Sequence, residues 1–218
     1  MNGRTADPDP GPAPGLVSAG GRRRPEDKTG LRRFLFDLRH RRRRFRQAVG
    51  IVFVLAVTYL GEPHPALLLA GAIGALLGMA VRMWASGFVM KNEVLATTGP
   101  YAHVRHPLYV GNVLICVGFV LACGLWWAAL LALGMLLFFY PQTIRYEDQK
   151  LRRLFPGVWD RWASEVRALL PRFAPYRVPG ESEENHWSLR LSMVRNGEPL
   201  HVILLVACLV YLYRQVGY

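Results

Sequence analysis

The chain has 218 residues, a formal net charge of +12 and 52% hydrophobic residues. That length suits one domain, and a soluble domain this apolar rarely carries so many uncompensated cations. A nucleic-acid-binding protein gathers its basic residues on one face of a soluble fold. Here the arginines flank apolar runs instead, which points to an integral membrane protein without a nucleic-acid partner.

Residues 1–29 are rich in Pro, Gly, Asp and Arg and lack apolar periodicity. They read as disordered, and with no apolar stretch near Met1 they do not read as an ordinary signal peptide. The run Arg39-His40-Arg41-Arg42-Arg43-Arg44, followed by Arg46, closes a basic tail over residues 1–44. Basic residues against an apolar run mark the cytoplasmic side of a membrane span, and they also suit anionic headgroups. Residues 45–218 form the membrane domain.

The first expected span covers residues 46–61, and Gly61-Glu62-Pro63-His64 turns into a second over 65–82. Gly71, Gly74 and Gly78 lie in that second span, at a spacing that lets helices approach closely in lipid. Residues 82–104 read as a polar loop. The apolar stretch 107–141 is about 50 Å long as one helix, whereas the hydrocarbon core is about 30 Å thick. It therefore folds into a hairpin, with spans over 107–122 and 125–141 and a turn near Cys123-Gly124. Residues 146–170 carry amphipathic helical spacing, expected on the membrane surface or beneath the bundle. A fifth span covers 199–214. The expected fold is therefore an all-α membrane protein of about five transmembrane helices with a cytosolic amphipathic segment. Lys and Arg gather in the tail, the 82–106 loop and the 142–199 segment, which places the N-terminus and those segments in the cytosol.

Cys116, Cys123 and Cys208 all lie in apolar runs, with no spacing that suggests a disulfide framework or a metal site. No phosphate-binding glycine loop, H-E-x-x-H or G-x-S-x-G appears. Two polar clusters flank the hairpin. The first, Gly99 to Asn112, contains Tyr101, His103, Arg105, His106, Pro107, Tyr109 and Gly111. Arginine and histidine this close to hydrocarbon are costly and mark a functional candidate. Pro107 suits the first turn of a helix, whose N–H groups can receive an anion. His103 reads as a solvated loop residue. The second cluster is Arg145-Tyr146-Glu147-Asp148, two adjacent acids at a helix C-terminus, where the dipole disfavours them unless they meet a cation. An antiparallel hairpin brings the clusters together, so Arg105 and His106 are expected beside Glu147 and Asp148.

Gly99-Pro100-Tyr101, Arg105-His106-Pro107-Leu108-Tyr109-Val110-Gly111, Glu147-Asp148 and Phe155-Pro156-Gly157-Val158-Trp159-Asp160-Arg161-Trp162 resemble the isoprenylcysteine carboxyl methyltransferase family and the related phospholipid methyltransferases. That family's pattern is R-H-P-x-Y-x-G, a two-span hairpin, E-E, then F-G-x-x-Y-x-x-Y. The resemblance covers roughly residues 82–171 and implies a helical fold. It implies S-adenosylmethionine as cofactor in a cytosol-facing pocket and a lipid or lipidated small molecule entering from the bilayer. It implies Arg105 and Glu147 as catalytic residues, and His106, Pro107, Tyr109, Gly111, Tyr101 and Asp148 as cofactor-binding. No metal and no obligate protein partner are implied. Asp148 replaces the second Glu, and Trp159 and Trp162 replace two Tyr, which keeps bulk and loses hydroxyls.

A carboxylate acceptor needs a cation to place it, and Arg105 can supply a two-pronged hydrogen bond. An amine acceptor, as in the phospholipid N-methyltransferases, must first lose a proton to a base. Two further alternatives remain. An NADPH-dependent membrane reductase is one, since sterol reductases carry a similar segment that typically continues to Glu where this chain has Asn112. A non-catalytic membrane protein is the other.

Overall fold

A computed structural model describes residues 48–90, 93–177 and 186–216. The basic tail over residues 1–44 lies outside the described residues. These contain α1 (Ala48–Tyr59), α2 (Pro65–Ser86), α3 (Pro107–Cys123), α4 (Trp126–Leu154), α5 (Val158–Glu165) and α6 (Glu198–Val216). A short 3-10 turn, Gly99–Ala102, precedes α3, and a turn of π-helix, Leu191–Arg195, precedes α6. No strand occurs among the described residues.

The punctuation follows from local chemistry. Pro65 and Pro107 begin α2 and α3, where a missing N–H costs nothing. Gly124 ends α3 in the left-handed conformation at φ 69°, which a side chain disfavours, and this is the hairpin turn expected near Cys123-Gly124. A Cβ there would also stand 2.4 Å from the Glu62 carbonyl oxygen. Glu62 N–H in turn donates to the Cys123 carbonyl at 2.8 Å, so the two turns at this end of the bundle are tied together.

Three helices are long and apolar enough to cross a membrane: α2, α4 and α6. The other two apolar helices, α1 and α3, are shorter. Large hydrophobic side chains such as Leu69, Leu130, Leu137, Phe138 and Ile203 stand exposed along these helices, as lipid-facing residues do. The main core is drawn from α1, α2, α3, α4 and α6, with Val57, Leu68, Met79, Phe119, Leu205 and Leu212 among its buried members. The glycines do the work expected of them. A Cβ on Gly71 would meet the Ala122 nitrogen and the Gly118 oxygen at 2.4 Å, and one on Gly78 would meet the Gly111 oxygen at 2.6 Å. The α2 and α3 backbones touch along this stripe. The three cysteines are free; Cys123 and Cys208 are buried in the core and Cys116 packs against it.

Three boundaries differ from the sequence reading. Helix α2 continues past residue 82 to Ser86, so Arg82 is a buried helical residue instead of part of a loop. Helix α4 runs through Pro141 for 29 residues, about 43 Å, so the acids expected at the end of a span lie on the part of α4 that outreaches α3. The amphipathic helix expected over 146–170 is two pieces. It breaks at Phe155-Pro156-Gly157, with Gly157 at φ 79°, because proline cannot continue the ladder and only glycine adopts that φ freely. After α5 the chain runs on without helix to residue 177.

Candidate functional site

The site is assembled at the end of the bundle opposite the Gly124 turn. Pro107 fixes the first turn of α3, so Arg105 and His106 sit just before that turn, with His106 as its cap residue. The preceding loop is held by the segment after α5. Arg105 N–H donates to the Arg167 carbonyl at 2.9 Å and His106 N–H to that of Ala168 at 3.1 Å. Arg172 N–H and Tyr176 N–H return bonds to the carbonyls of His103 and Ala102, both at 2.9 Å. Four backbone bonds thus strap the loop in place. His103 belongs to this strap: its Nδ1 lies 2.9 Å from the Arg172 carbonyl, and the ring is half-buried instead of solvated.

Beneath the loop lies a small second core containing Ala85, Phe88, Tyr101, Trp162 and Val166. Trp162 is 1% exposed and donates its indole N–H to the Tyr101 carbonyl at 3.1 Å. Burial pushes the Tyr101 phenol well above the usual tyrosine range, with the nearby Glu147 charge adding to the effect. This phenol is neutral at physiological pH and can serve as a donor but not as a base.

The two clusters meet as the hairpin requires. From the Gly124 turn, α3 extends about 26 Å back to Pro107, and Glu147 lies about 32 Å along α4, one turn further. The residues preceding α3 bridge that turn. Asp148 uses both oxygens: Oδ2 is 3.1 Å from Arg105 Nη1, and Oδ1 is 3.0 Å from His106 Nε2. A carboxylate only accepts, so His106 Nε2 carries the hydrogen in that contact. Glu147 Oε2 lies 3.7 Å from His106 Nδ1, and its side chain is 37% exposed. The acid that pairs with Arg105 is therefore Asp148, one of the two acids that sequence expected beside it. Neighbouring residues on a helix point about 100° apart, and adjacent acids cannot be told apart without knowing how α4 is rotated.

Trp159 lies under the Arg105 guanidinium, 5.7 Å from ring centroid to Cζ, and Arg152 stands 5.9 Å from the same ring. Both are cation–π distances. Arg105 Nε and Trp159 Nε1 are buried and have no hydrogen-bond partner. Two buried donors without acceptors are costly unless something accepts from them. A carboxylate meets that need, and S-adenosylmethionine carries one, so the residues present fit that cofactor. Tyr109 stacks on His106 at 5.5 Å and meets Tyr140 of α4 at 5.1 Å. Pro107 is fully buried as a structural residue. Gly111 packs against α2: a Cβ there would stand 2.6 Å from Arg82 Cγ.

Sequence reasoning missed Tyr140, the backbone strap and a buried pair, Arg82 and Glu198, which with the half-buried Asn112 joins α2, α3 and α6. An arginine and a glutamate at the edges of apolar runs were the available signal. No group of three metal-ligating side chains occurs among the described residues. A hollow of about 710 Å³ lies at the other end of the bundle, lined by Gly61, Glu62, Pro63, Tyr211, Arg214 and Gln215. It places Arg214 as a basic residue away from the site.

These features define a helical membrane protein with a strapped Arg-His-Pro loop facing two acids. The model of the phospholipid methyltransferase family matches residues 66–157, the hairpin and both clusters. The chain is 35% identical to the cobalt-zinc-cadmium resistance protein CzcN of Cupriavidus metallidurans over 178 residues, covering 77% of this chain and 79% of that protein. It is also 35% identical to the nickel-cobalt-cadmium resistance protein NccN of Alcaligenes xylosoxydans over 150 residues, 65% of this chain and 70% of that protein. A shorter match, 32% over 81 residues, is to the protein-S-isoprenylcysteine O-methyltransferase of Schizosaccharomyces pombe and covers 37% of this chain and 34% of that enzyme. No solved structure matches the chain. The chain belongs to the isoprenylcysteine and phospholipid methyltransferase family of integral membrane methyltransferases.

Proposed function

We propose that the protein transfers a methyl group from S-adenosylmethionine to a lipid or lipidated acceptor at the cytosolic edge of the bilayer. The supporting observation is Arg105: its guanidinium is anchored by Asp148 at 3.1 Å, and its Nε is buried with no acceptor. S-adenosylmethionine supplies a methyl on a sulfonium, already activated, so the protein's part is alignment and exclusion of water. A carboxylate acceptor is ionised at pH 7 and needs no base. Arg105 receives it through its free N–H, leaving the Trp159 N–H for the cofactor's carboxylate, while Asp148 holds the guanidinium still. Glu147, open to solvent on one side, is the acid available to the cofactor's cationic and hydroxyl groups. Tyr109 and Tyr140 supply aromatic surface between α3 and α4. Tyr101 and Pro107 hold the loop, and Gly111 allows α3 to pack on α2.

In this reading α1 and α3 cross the bilayer along with α2, α4 and α6, giving five passes. Helix α3, at about 26 Å, falls a little short of a hydrocarbon core of about 30 Å. The arginine-rich segments lie on the cytosolic side, with the site.

A second reading, N-methylation of a phospholipid amine, draws on the phospholipid methyltransferase family match and on His106. That ring has one nitrogen on Asp148 and the other facing Glu147, an arrangement suited to accepting and passing on the proton an amine must lose.

Calorimetry on the purified protein separates these readings from a reductase. Heat of binding with S-adenosylmethionine and none with NADPH is expected. Binding of NADPH alone would overturn the methyltransferase reading.

A further inference from the structure

Arg82 is 8% exposed and Glu198 2% exposed. Arg82 Nε donates to Glu198 Oε2 at 3.1 Å and Nη2 to Oε1 at 2.8 Å, a two-pronged pair. The remaining terminal nitrogen, Nη1, donates to the Asn112 side-chain oxygen. The stem of Arg82 passes over Gly111, where a Cβ would lie 2.6 Å from Arg82 Cγ. One guanidinium from α2 therefore grips α3 at its second turn and the first residue of α6. Glu198 lies outside residues 66–157, the stretch the family model covers.

A buried ion pair adds little net stability compared with apolar residues of the same volume, while loss of one partner is severe. What such a pair supplies is geometry. Arg105 and His106 precede α3 directly, and any rotation of α3 about its axis carries them with it. A hydrogen bond at Asn112, fixed by a cation that is itself fixed at two points on Glu198, opposes that rotation. We propose that Arg82, clamped by Glu198, is the positioning residue of the site: it sets the rotation of α3 and so the stance of Arg105 and His106 against Asp148. The kinetic consequence rests on the methyltransferase reading; the geometric one does not.

The test is the double variant Arg82→Met with Glu198→Leu, read by thermal stability in detergent, by methyl-transfer kinetics and by the side-chain NMR signal of His106, assigned through His106→Gln. The double variant is expected to keep the thermal stability of the parent. Its turnover falls on the order of a hundredfold, more than any rise in cofactor KM, and its His106 signal shifts. An unmoved His106 signal overturns the proposal whatever the turnover. Parent-like turnover in a parent that does transfer methyl groups also overturns it. A parent without transfer refutes the methyltransferase reading instead, and the His106 signal still decides this one. Should the double variant not fold, Arg82→Lys carries the same readouts. It keeps the charge, but a single ammonium cannot fork onto Glu198 while reaching Asn112, and its His106 signal is expected to shift.

Discussion

Asp148 holds Arg105 with one carboxylate oxygen, at 3.1 Å, and His106 with the other, at 3.0 Å. Glu147, one residue earlier on α4, approaches the far nitrogen of His106, at 3.7 Å. Two adjacent acids thus have different work: one fixes the basic pair and the other keeps an open side. Their substitutions should separate kinetically. Asp148→Asn frees Arg105 from its anchor and is expected to lower kcat on the order of a hundredfold, the scale of a misplacement near 1 Å. Glu147→Gln is expected to raise the KM for S-adenosylmethionine roughly tenfold, the scale of one hydrogen bond to a charged group. Initial-rate kinetics on both variants check this, and the opposite split would assign the two acids the other way round.

Trp162 is the keystone of the small core beneath the loop, fully buried and bonded to the Tyr101 carbonyl. Trp162→Ala is expected to cost about 3–5 kcal/mol. Trp162→Phe keeps most of the volume but gives up the indole hydrogen bond and leaves the Tyr101 carbonyl unpaired, and is expected to cost less, about 1–3 kcal/mol. Thermal unfolding in a fixed detergent ranks them, and the loss should appear first as loosening of the strap between residues 102–106 and 167–176.

Gly71 and Gly134 both lie inside apolar helices but have opposite surroundings. At Gly71 a methyl group would meet backbone atoms of α3 at 2.4 Å, whereas at Gly134 nothing lies within 4 Å. Gly71→Ala is expected to destabilise the protein by about 1–3 kcal/mol by forcing α2 and α3 apart. Gly134→Ala is expected to stabilise it by about 0.5–1 kcal/mol through the higher helix propensity of alanine. Unfolding of the two variants side by side checks the helix contacts.

The helical framework and the meeting of the two clusters were legible in the sequence, because both follow from length. An apolar stretch too long for one crossing must turn back, and the turn brings Arg105 and His106 beside residues 147–148. The R-H-P-x-Y-x-G segment carried the family. What was not legible depended on rotation about a helix axis or on contacts distant in the chain. The choice of Asp148 over Glu147 as the partner of Arg105 is of the first kind. The pairing of Arg82 with Glu198, 116 residues away, and the strap from residues 167–176 are of the second. Pro141 concealed the length of α4, since a proline after an apolar run reads as an ending, yet the helix passes through it. Pro156-Gly157 did the reverse and divided an amphipathic pattern that spacing alone made continuous.

The most direct test is methyl transfer itself: purified protein incubated with methyl-labelled S-adenosylmethionine and a total lipid extract, alongside Arg105→Ala prepared to the same monodispersity. The protein is expected to label a lipid species, and Arg105→Ala to label it on the order of a hundredfold less, as when a charge-positioning donor is removed from a reacting centre. Equal labelling by the two proteins, or none by the unaltered one, would contradict the account.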